Sequence, residues 1–296
     1  MTLDQLRIFV AVAEREHVTR AAEALNLTQS AASGAIAALE REFATRLFHR
    51  VGRGIALTEA GTMFLSEARA VLSRAAAATA AMREVSSLAR GHLAIKASQT
   101  IANHVLPVRL VAFRRAYPGI SLSVSIGNSA DVVAAIDEGK AELGFVEGPG
   151  DTLIHPHIAA EPIAQDRLVM VVAADHPWAS RTALTPAELA SGTWVLREDG
   201  SGTRAVFIEA MAGLGVAYAA LNIAIELPAN GSVLTAVIGG AGATILSELV
   251  CVDAIAAGKL RELPINLPRR SYFAVQHQDR TRTRAAAALL AMLRPK

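Results

Sequence analysis

Three features of the sequence predict a mixed α/β protein with a helical module at its amino terminus. Over residues 1–58 apolar residues recur at spacings of three and four, as on one face of a helix. From residue 91 onward short β-rich runs alternate with helical ones, the pattern of a layered α/β domain. Between these regions Phe64, Ala68, Val71, Ala75, Ala78, Met82 and Val85 follow one another at alternating steps of four and three, a heptad seam on one long helix. At about 150 residues per domain, a chain of 296 residues has room for roughly two domains.

The helical module reads as three helices and a hairpin. Leu3, Leu6, Phe9, Val10 and Ala13 mark the first helix. A second starts near Thr19, taken as its N-cap, and closes at Asn26, a residue type that tolerates the left-handed conformation. Thr28 caps a third, which carries Ala31, Ala32, Ala35, Ile36 and Leu39. Gly52 and Gly54 then flank Arg53 between the apolar pairs Leu47-Phe48 and Ile55-Leu57, predicting a tight β-hairpin. The seam helix, from Thr58 to about Leu88, is roughly 45 Å long at 1.5 Å per residue and cannot bury its own stripe, so it implies a partner helix.

Gly91 ends that helix. Strands are expected at 92–98, 120–127, 141–148, 166–174, 193–198, 222–227, 242–247 and 271–277, with helices at 101–116, 129–138, 186–190, 202–212, 232–238, 249–256 and 283–293. This order predicts mainly parallel sheets in two sub-domains, with ligand sites at the carboxyl ends of strands.

Composition excludes several classes. Hydrophobic residues make up 52% and charged residues 19%, so disorder is ruled out. The net charge of +2 is too small for a protein that coats polyanions, though not for one with a local basic patch. A single cysteine, Cys251, forbids a disulfide framework or a four-cysteine metal site. Charges at Asp4, Arg7, Glu14, Arg15 and Glu16 interrupt the first segment, so it is not a signal peptide. The longest uncharged stretch, 227–247, is broken by Pro228, Gly231, Gly239, Gly240 and Gly242 and is not a membrane span. A cytoplasmic protein without a membrane partner is expected.

Two constellations carry chemistry. The first spans Thr19–Leu39 and has the parts of a helix-turn-helix: a small residue at the crossing (Ala22), a tight turn (Asn26) and a second helix whose first residues face outward. Thr28, Gln29, Ser30 and Ser33 are the candidate DNA contacts, since Gln pairs with adenine and Ser reads a base edge or a phosphate. Arg41, Arg46, Arg50 and Arg53 face only Glu42 over thirteen residues, a charge of +3 beside that helix, and Arg50 and Arg53 are placed for phosphate or minor-groove contact.

The second constellation is Asp199-Gly200-Ser201-Gly202-Thr203-Arg204 between a strand and a helix. Gly200 and Gly202 let backbone N–H groups converge, and Ser201 and Thr203 add hydroxyls at a helix start, which favours an anion. Ser98, Gln99 and Thr100 form a matching site after an earlier strand, and Asn128 and Glu147 stand at the ends of the next two. Because neither hydroxyl segment holds a lysine, neutral donors are expected to hold the anion. No Walker loop ending and no nucleophile with an adjacent base is present. His155 and His157, flanking Pro156, read as loop residues, so no metal site and no cofactor are expected.

The segments LDQLRIFVAVAE, TRAAEALNLTQSAASGAIAALE and RLFHRVGRGIALTEAG resemble the LysR-type transcriptional regulators, and the resemblance covers the whole chain. It implies a winged helix-turn-helix (residues 1–58), a linker and dimerisation helix (59–90) and an effector-binding domain (91–296) similar to periplasmic substrate-binding proteins. The sub-domains of the last would comprise about 91–162 with 267–296, and about 163–266. The resemblance implies that Ser98–Thr100 and Ser201–Thr203 lie on opposite lips of the effector pocket. The Gly-Ser-Gly-Thr-Arg run is most like the branch that governs sulfur assimilation and carbon fixation and senses small anions.

Three positions depart from the family, one of them Ala37, where a basic residue is common. Gly34 stands where a polar residue is usual, at a cost of about 1 kcal/mol in a helix interior. Ala44 replaces a glycine, and at φ > 0 it would be strained by ~1–2 kcal/mol. The implied function is non-enzymatic. A dimer or tetramer binds double-stranded DNA at an interrupted palindrome, an anionic effector sets the DNA geometry, and RNA polymerase is a further partner. A transporter's solute-binding protein, or an α/β enzyme using the same cleft, are the rival readings.

Overall fold

The computed structural model describes residues 1–51, 54–84, 91–148 and 155–293, and the chain divides into two compact units near residue 84.

In the amino-terminal unit, α1 (Leu3–Arg15), α2 (Val18–Ala24) and α3 (Gln29–Glu42) precede a hairpin of β1 (Phe48–Val51) and β2 (Gly54–Leu57) and the long α4 (Glu59–Glu84). The second helix starts earlier than Thr19. Glu16 takes φ +50° and turns the chain, so His17 becomes the N-cap, its ring nitrogen accepting from Arg20 N at 3.4 Å. Leu6, Phe9, Val12, Ala21, Ile36, Leu39 and Leu47 form the core, with Ala68 of α4 buried among them and Phe64 packed against it. The Phe64 ring lies 4.9 Å from that of Phe9. The first two seam positions are thus spent inside this unit, whereas Val71 is 41% exposed and Ala78 is exposed. Val85, the last, lies outside the described residues, as does the end of the expected linker (85–90). Gly61 admits no side chain: a Cβ would lie 2.1 Å from the Leu47 carbonyl oxygen.

The second unit holds two lobes with separate cores. The first is a five-stranded sheet, ordered β4 (Ile120–Gly127), β3 (Gly91–Ser98), β5 (Leu143–Gly148), β12 (Arg270–His277), β6 (Ile158–Asp166). α5 (Leu106–Ala116) and α11 (Arg284–Leu293) pack Phe113, Leu289 and Leu290 on one core, and α6 (Ser129–Asp137) packs Val132 and Ile136 on another. The second lobe pairs β7 (Leu168–Ala173) with β10 (Thr244–Ser247) and β11 (Leu260–Glu262), and β8 (Thr193–Arg197) with β9 (Asn222–Leu227). Here α7 (Pro186–Ser191), α8 (Gly202–Gly213), α9 (Asn230–Ile238) and α10 (Glu248–Ala256) enclose cores around Trp194 and Phe207 and around Val233 and Val237.

The sheets are not mainly parallel. β3 pairs in parallel with β4 and β5, and β8 with β9, but β12 runs antiparallel to β5 and β6, and β7 to β10 and β11. The chain leaves the first lobe along β6 and re-enters it along β12, so these strands oppose each other. β6 escaped sequence reading because Pro162 interrupts it; an edge strand tolerates this, and the register shifts there between Tyr272 and Phe273. β11, at three residues, is too short for any pattern. Cys251 is fully buried, and burial, with Glu262 and Asp166 nearby, pushes its thiol up to about 12, so it is an inert apolar side chain. Among the described residues no helix is long and apolar enough to cross a membrane.

Candidate functional site

The helix-turn-helix rests on alanines. Ala21, Ala22 and Ala32 are buried where α2 meets α3, and larger side chains would force the helices apart. Asn26 takes φ +55° in the turn, as its residue type suggested. The Thr28 hydroxyl accepts from Ala31 N at 3.2 Å and so caps α3. Thr28, Gln29 and Ser30 are exposed on the first turn and Ser33 is half-buried. Their polar groups pair among themselves: Gln29 Nε2 donates to Ser33 Oγ at 2.9 Å, and the Thr28 and Ser30 hydroxyls lie 3.1 Å apart. Base edges and phosphates can replace these surface contacts at little cost.

Arg50 is exposed on β1, while Arg53, the other predicted hairpin arginine, lies outside the described residues together with Gly52. Glu40 was not anticipated. Its carboxylate accepts from Leu47 N and Phe48 N at 2.8 and 3.3 Å and from Arg46 at 3.2 Å, fastening the hairpin to α3. Arg46 is therefore paired, and the basic patch is weaker than its local count. Ala44 has φ +49°, so the strain foreseen for it is present.

In the second unit the predicted segments come together across the two lobes. Ser98, at the end of β3, donates to Glu147 Oε2. Thr100 and Thr203 both lie 3.3 Å from Glu147 Oε1, although they belong to different lobes. All four side chains are buried. Gln99 bridges the lobes through Asn230 N (2.8 Å) and the Pro228 carbonyl oxygen (2.9 Å). Asn128 caps α6, accepting from Asp131 N at 2.9 Å, and donates to the Asp199 carbonyl oxygen at 3.3 Å. Ser201 caps α8, and Gly200 adopts φ +77°. Gly202 is required by a close approach, since a Cβ there would sit 1.8 Å from the Glu147 carbonyl oxygen.

Sequence reading named Glu147 but missed the cation beside it. Arg270, at the start of β12 and fully buried, donates to Asp166 Oδ2 at 2.6 Å, to Thr203 Oγ1 at 3.1 Å and to Thr100 Oγ1 at 3.2 Å. Burial alone would lower its pKa, but Glu147 and Asp166 more than offset this and hold it above the ordinary arginine value. Arg197, also buried, binds Asn230 Oδ1 and the Glu198 carboxylate, and Asn230 Nδ2 donates to Thr100 at 3.0 Å. Burial works to raise the Glu198 pKa, but its bonds to Arg197 prevail and lower it. The expectation of largely neutral donors took no account of these charges: two guanidinium groups and the carboxylates of Glu147, Asp166 and Glu198 surround the hydroxyls. Arg270 lay 67 residues from Thr203, beyond any motif spacing.

The proton inventory fixes what the hydroxyls offer. Thr100 Oγ1 accepts from Arg270 and Asn230, and Thr203 Oγ1 accepts from Arg270, so each spends its own proton on Glu147 Oε1. One carboxylate oxygen receives a hydroxyl from each lobe.

Comparison with known proteins covers both units of the chain. The family model described as "Bacterial regulatory helix-turn-helix protein, lysR family" matches residues 3–62, and "LysR substrate binding domain" matches residues 86–296. The chain is 34% identical over 288 residues to an uncharacterized HTH-type transcriptional regulator, YeiE, of Escherichia coli (strain K12), covering 95% of this chain and 92% of that protein. It is 31% identical over 247 residues to the RuBisCO operon transcriptional regulator of Allochromatium vinosum, covering 83% and 80%. Full-length CbnR in complex with its target DNA has the same fold (TM-score 0.69, 23% identity, 99% of each chain). So does the Synechocystis PCC6803 CcmR regulatory domain in complex with 2-PG (TM-score 0.60, 23% identity, 69% of this chain and 98% of that one). These relatives are regulators and not enzymes, which sets aside the solute-binding and enzymatic readings. The chain belongs to the LysR family of bacterial helix-turn-helix transcriptional regulators, proteins that bind DNA, respond to small effectors and form oligomers.

Proposed function

We propose that the effector of this regulator is a small, compact oxyanion held between Ser98, Gln99, Thr100 and Asn128 on one lip and Gly200, Ser201, Gly202 and Thr203 on the other. The observation that carries this reading is the pair of obliged hydroxyl donors, Thr100 and Thr203, converging on a single oxygen of Glu147. A ligand oxygen that took the place of Glu147 Oε1 would meet both hydroxyl donors at once. Arg270 behind them supplies a positive charge that does not titrate. Glu147 sets a condition: an ionised ligand must displace its carboxylate from the hydroxyls or bring a proton to share with it. The 2-PG bound by the CcmR regulatory domain is an anion, in keeping with this chemistry.

The rest of the reading concerns how the protein acts. It works in the cytoplasm as a dimer or tetramer, joined through the exposed part of the α4 seam around Val71 and Ala78. It places Thr28, Gln29, Ser30 and Ser33 against base edges of an interrupted palindrome and Arg50 and Arg53 against the backbone, and it acts on RNA polymerase. Calorimetric titration of the full-length protein with sulfate, sulfite, small carboxylates, phosphorylated metabolites and neutral aromatic compounds tests the effector class. A small oxyanion should bind tightly. Tight binding of an uncharged compound, with no oxyanion binding, would overturn the proposal.

A further inference from the structure

We propose that Asp137, His157 and His277 form a site for a divalent late first-row transition metal ion, of the zinc and cobalt class, in the first lobe and outside the effector cleft. The three residues come from sequence positions far apart, and the backbone brings them together. Asp137 is the last residue of α6, where the helix dipole favours a cation. His277 is the last residue of β12 and His157 immediately precedes β6. The ladder pairs His277 with Ile158, and Gln278 N donates to the His157 carbonyl oxygen at 2.8 Å. This pairing sets the two imidazoles side by side, with ring centroids 5.7 Å apart and an angle of 22° between the planes.

Both rings face one carboxylate oxygen. His157 Nδ1 lies 3.2 Å from Asp137 Oδ1, and His277 Nε2 lies 3.9 Å from the same atom. The three donor atoms are all within 4.8 Å of one another. A tetrahedral ion with bonds of about 2.0–2.1 Å separates its donors by roughly 3.4 Å, so the His157–Asp137 pair already fits, and His277 Nε2 must move about half an ångström nearer to Asp137. The His277 side chain is 14% exposed, Asp137 35% and His157 54%, so the group has a buried wall and an open side where water completes the coordination. Two imidazole nitrogens with one carboxylate oxygen select zinc, cobalt, nickel or copper over magnesium and calcium, which take oxygen ligands. The His155 ring stands edge-on to His157 at 5.9 Å and packs the open side of the group.

Two features limit the affinity. Arg280 donates to the carbonyl oxygens of Ile136 and Asp137 at 2.6 and 2.8 Å, which keeps a positive charge at the same helix end. Asp279 N donates to His277 Nδ1 at 3.2 Å, so the neutral ring carries its proton on Nε2. Coordination through Nε2 moves that proton to Nδ1 and gives up the Asp279 contact. The site therefore binds more weakly than a closed structural site with four protein ligands. A bound ion would tie α6, β6 and β12 together and stabilise the folded lobe by mass action.

The test uses the full-length chain without a histidine tag, freed of metal with a chelator that is then removed. Zinc chloride is titrated by calorimetry, and cobalt chloride is followed by visible absorption. One ion per chain is expected, with cobalt absorption characteristic of nitrogen and oxygen ligands and a melting temperature that rises with zinc. His157→Ala and Asp137→Asn should each weaken zinc binding by at least about tenfold without lowering the metal-free melting temperature. If Asp137→Asn fails to fold, His157→Ala, whose side chain is more than half exposed, carries the test. No zinc binding by the native chain, or binding undiminished in His157→Ala, would overturn the proposal. Effector titration of the same variants is separate, so the outcome does not depend on the identity of the cleft ligand.

Discussion

The helix proposed to read DNA and the cleft proposed to hold the effector use the same polar side chains in opposite settings. At the start of α3, Thr28, Gln29 and Ser30 are exposed and bonded to neighbours within four residues. In the cleft, Ser98, Thr100 and Thr203 are buried and bonded to groups 47 to 170 residues away. A surface that must read different DNA sequences keeps its donors solvated, so they exchange water for base edges cheaply. A cleft that must choose one small molecule desolvates its donors, and each unmet bond then carries a penalty. Substitutions in the cleft should therefore cost stability as well as binding, whereas those on α3 should cost binding alone.

The sharpest way to break this contrast is at Arg270. Arg270→Ala leaves the buried carboxylates of Glu147 and Asp166 without their common cation and should destabilise the effector unit by about 3–5 kcal/mol. Urea denaturation would measure this. A loss below about 1 kcal/mol would mean that the network is solvated and the cleft no different from the α3 surface.

Gly61→Ala probes the seat of the long helix on the hairpin. Its Cβ would collide with backbone at 2.1 Å, and a shift that relieves it should cost about 1–3 kcal/mol in the amino-terminal unit. Specific DNA affinity in a mobility-shift assay should fall with it. Full affinity would show that the hairpin is not held by this contact.

Thr203→Val keeps the shape of the cleft and removes one obliged donor. Oxyanion affinity should drop by roughly 1–3 kcal/mol in calorimetry. Glu147→Gln should act in the opposite sense, because it removes the internal competitor and its charge. Equal loss in both variants would identify Glu147 as part of the ligand's own hydrogen-bond set and not its competitor.

On the DNA side, Gln29→Ala should relax base preference by ~1–3 kcal/mol. Arg50→Ala should weaken all sequences alike and reduce the salt slope by about 1. Melting temperature should stay constant in both, and a drop in either would erase the distinction between the two regions. The smallest effect is expected at Gly34, where an added methyl group would meet nothing within 4 Å. Gly34→Ala should stabilise α3 by about 1 kcal/mol, read by thermal denaturation.

How much was legible follows from the range of each interaction. The caps at Thr28 and Ser201, the left-handed Asn26 and the apolar faces of α1 and α3 depend on residues within one or two turns, so the order of residues announces them. The same locality misled at Thr19, where one left-handed residue, Glu16, moved the cap to His17. It misled again along α4, whose even heptad seam gave no sign that Phe64 and Ala68 belong to the core of their own unit.

By itself the sequence determined the helix-turn-helix, the long helix, the α/β succession behind it and the hydroxyl-bearing turns at Ser98–Thr100 and Ser201–Thr203, because each is written in short-range spacing and residue type. Only the tertiary structure decided that Arg270 and Glu147 stand between those turns, that β12 returns antiparallel along β6, and that Asp137, His157 and His277 share one corner. The physical reason is that a buried charge is tolerable only where partners surround it, and those partners are chosen by the packing of strands and helices, which no local pattern records.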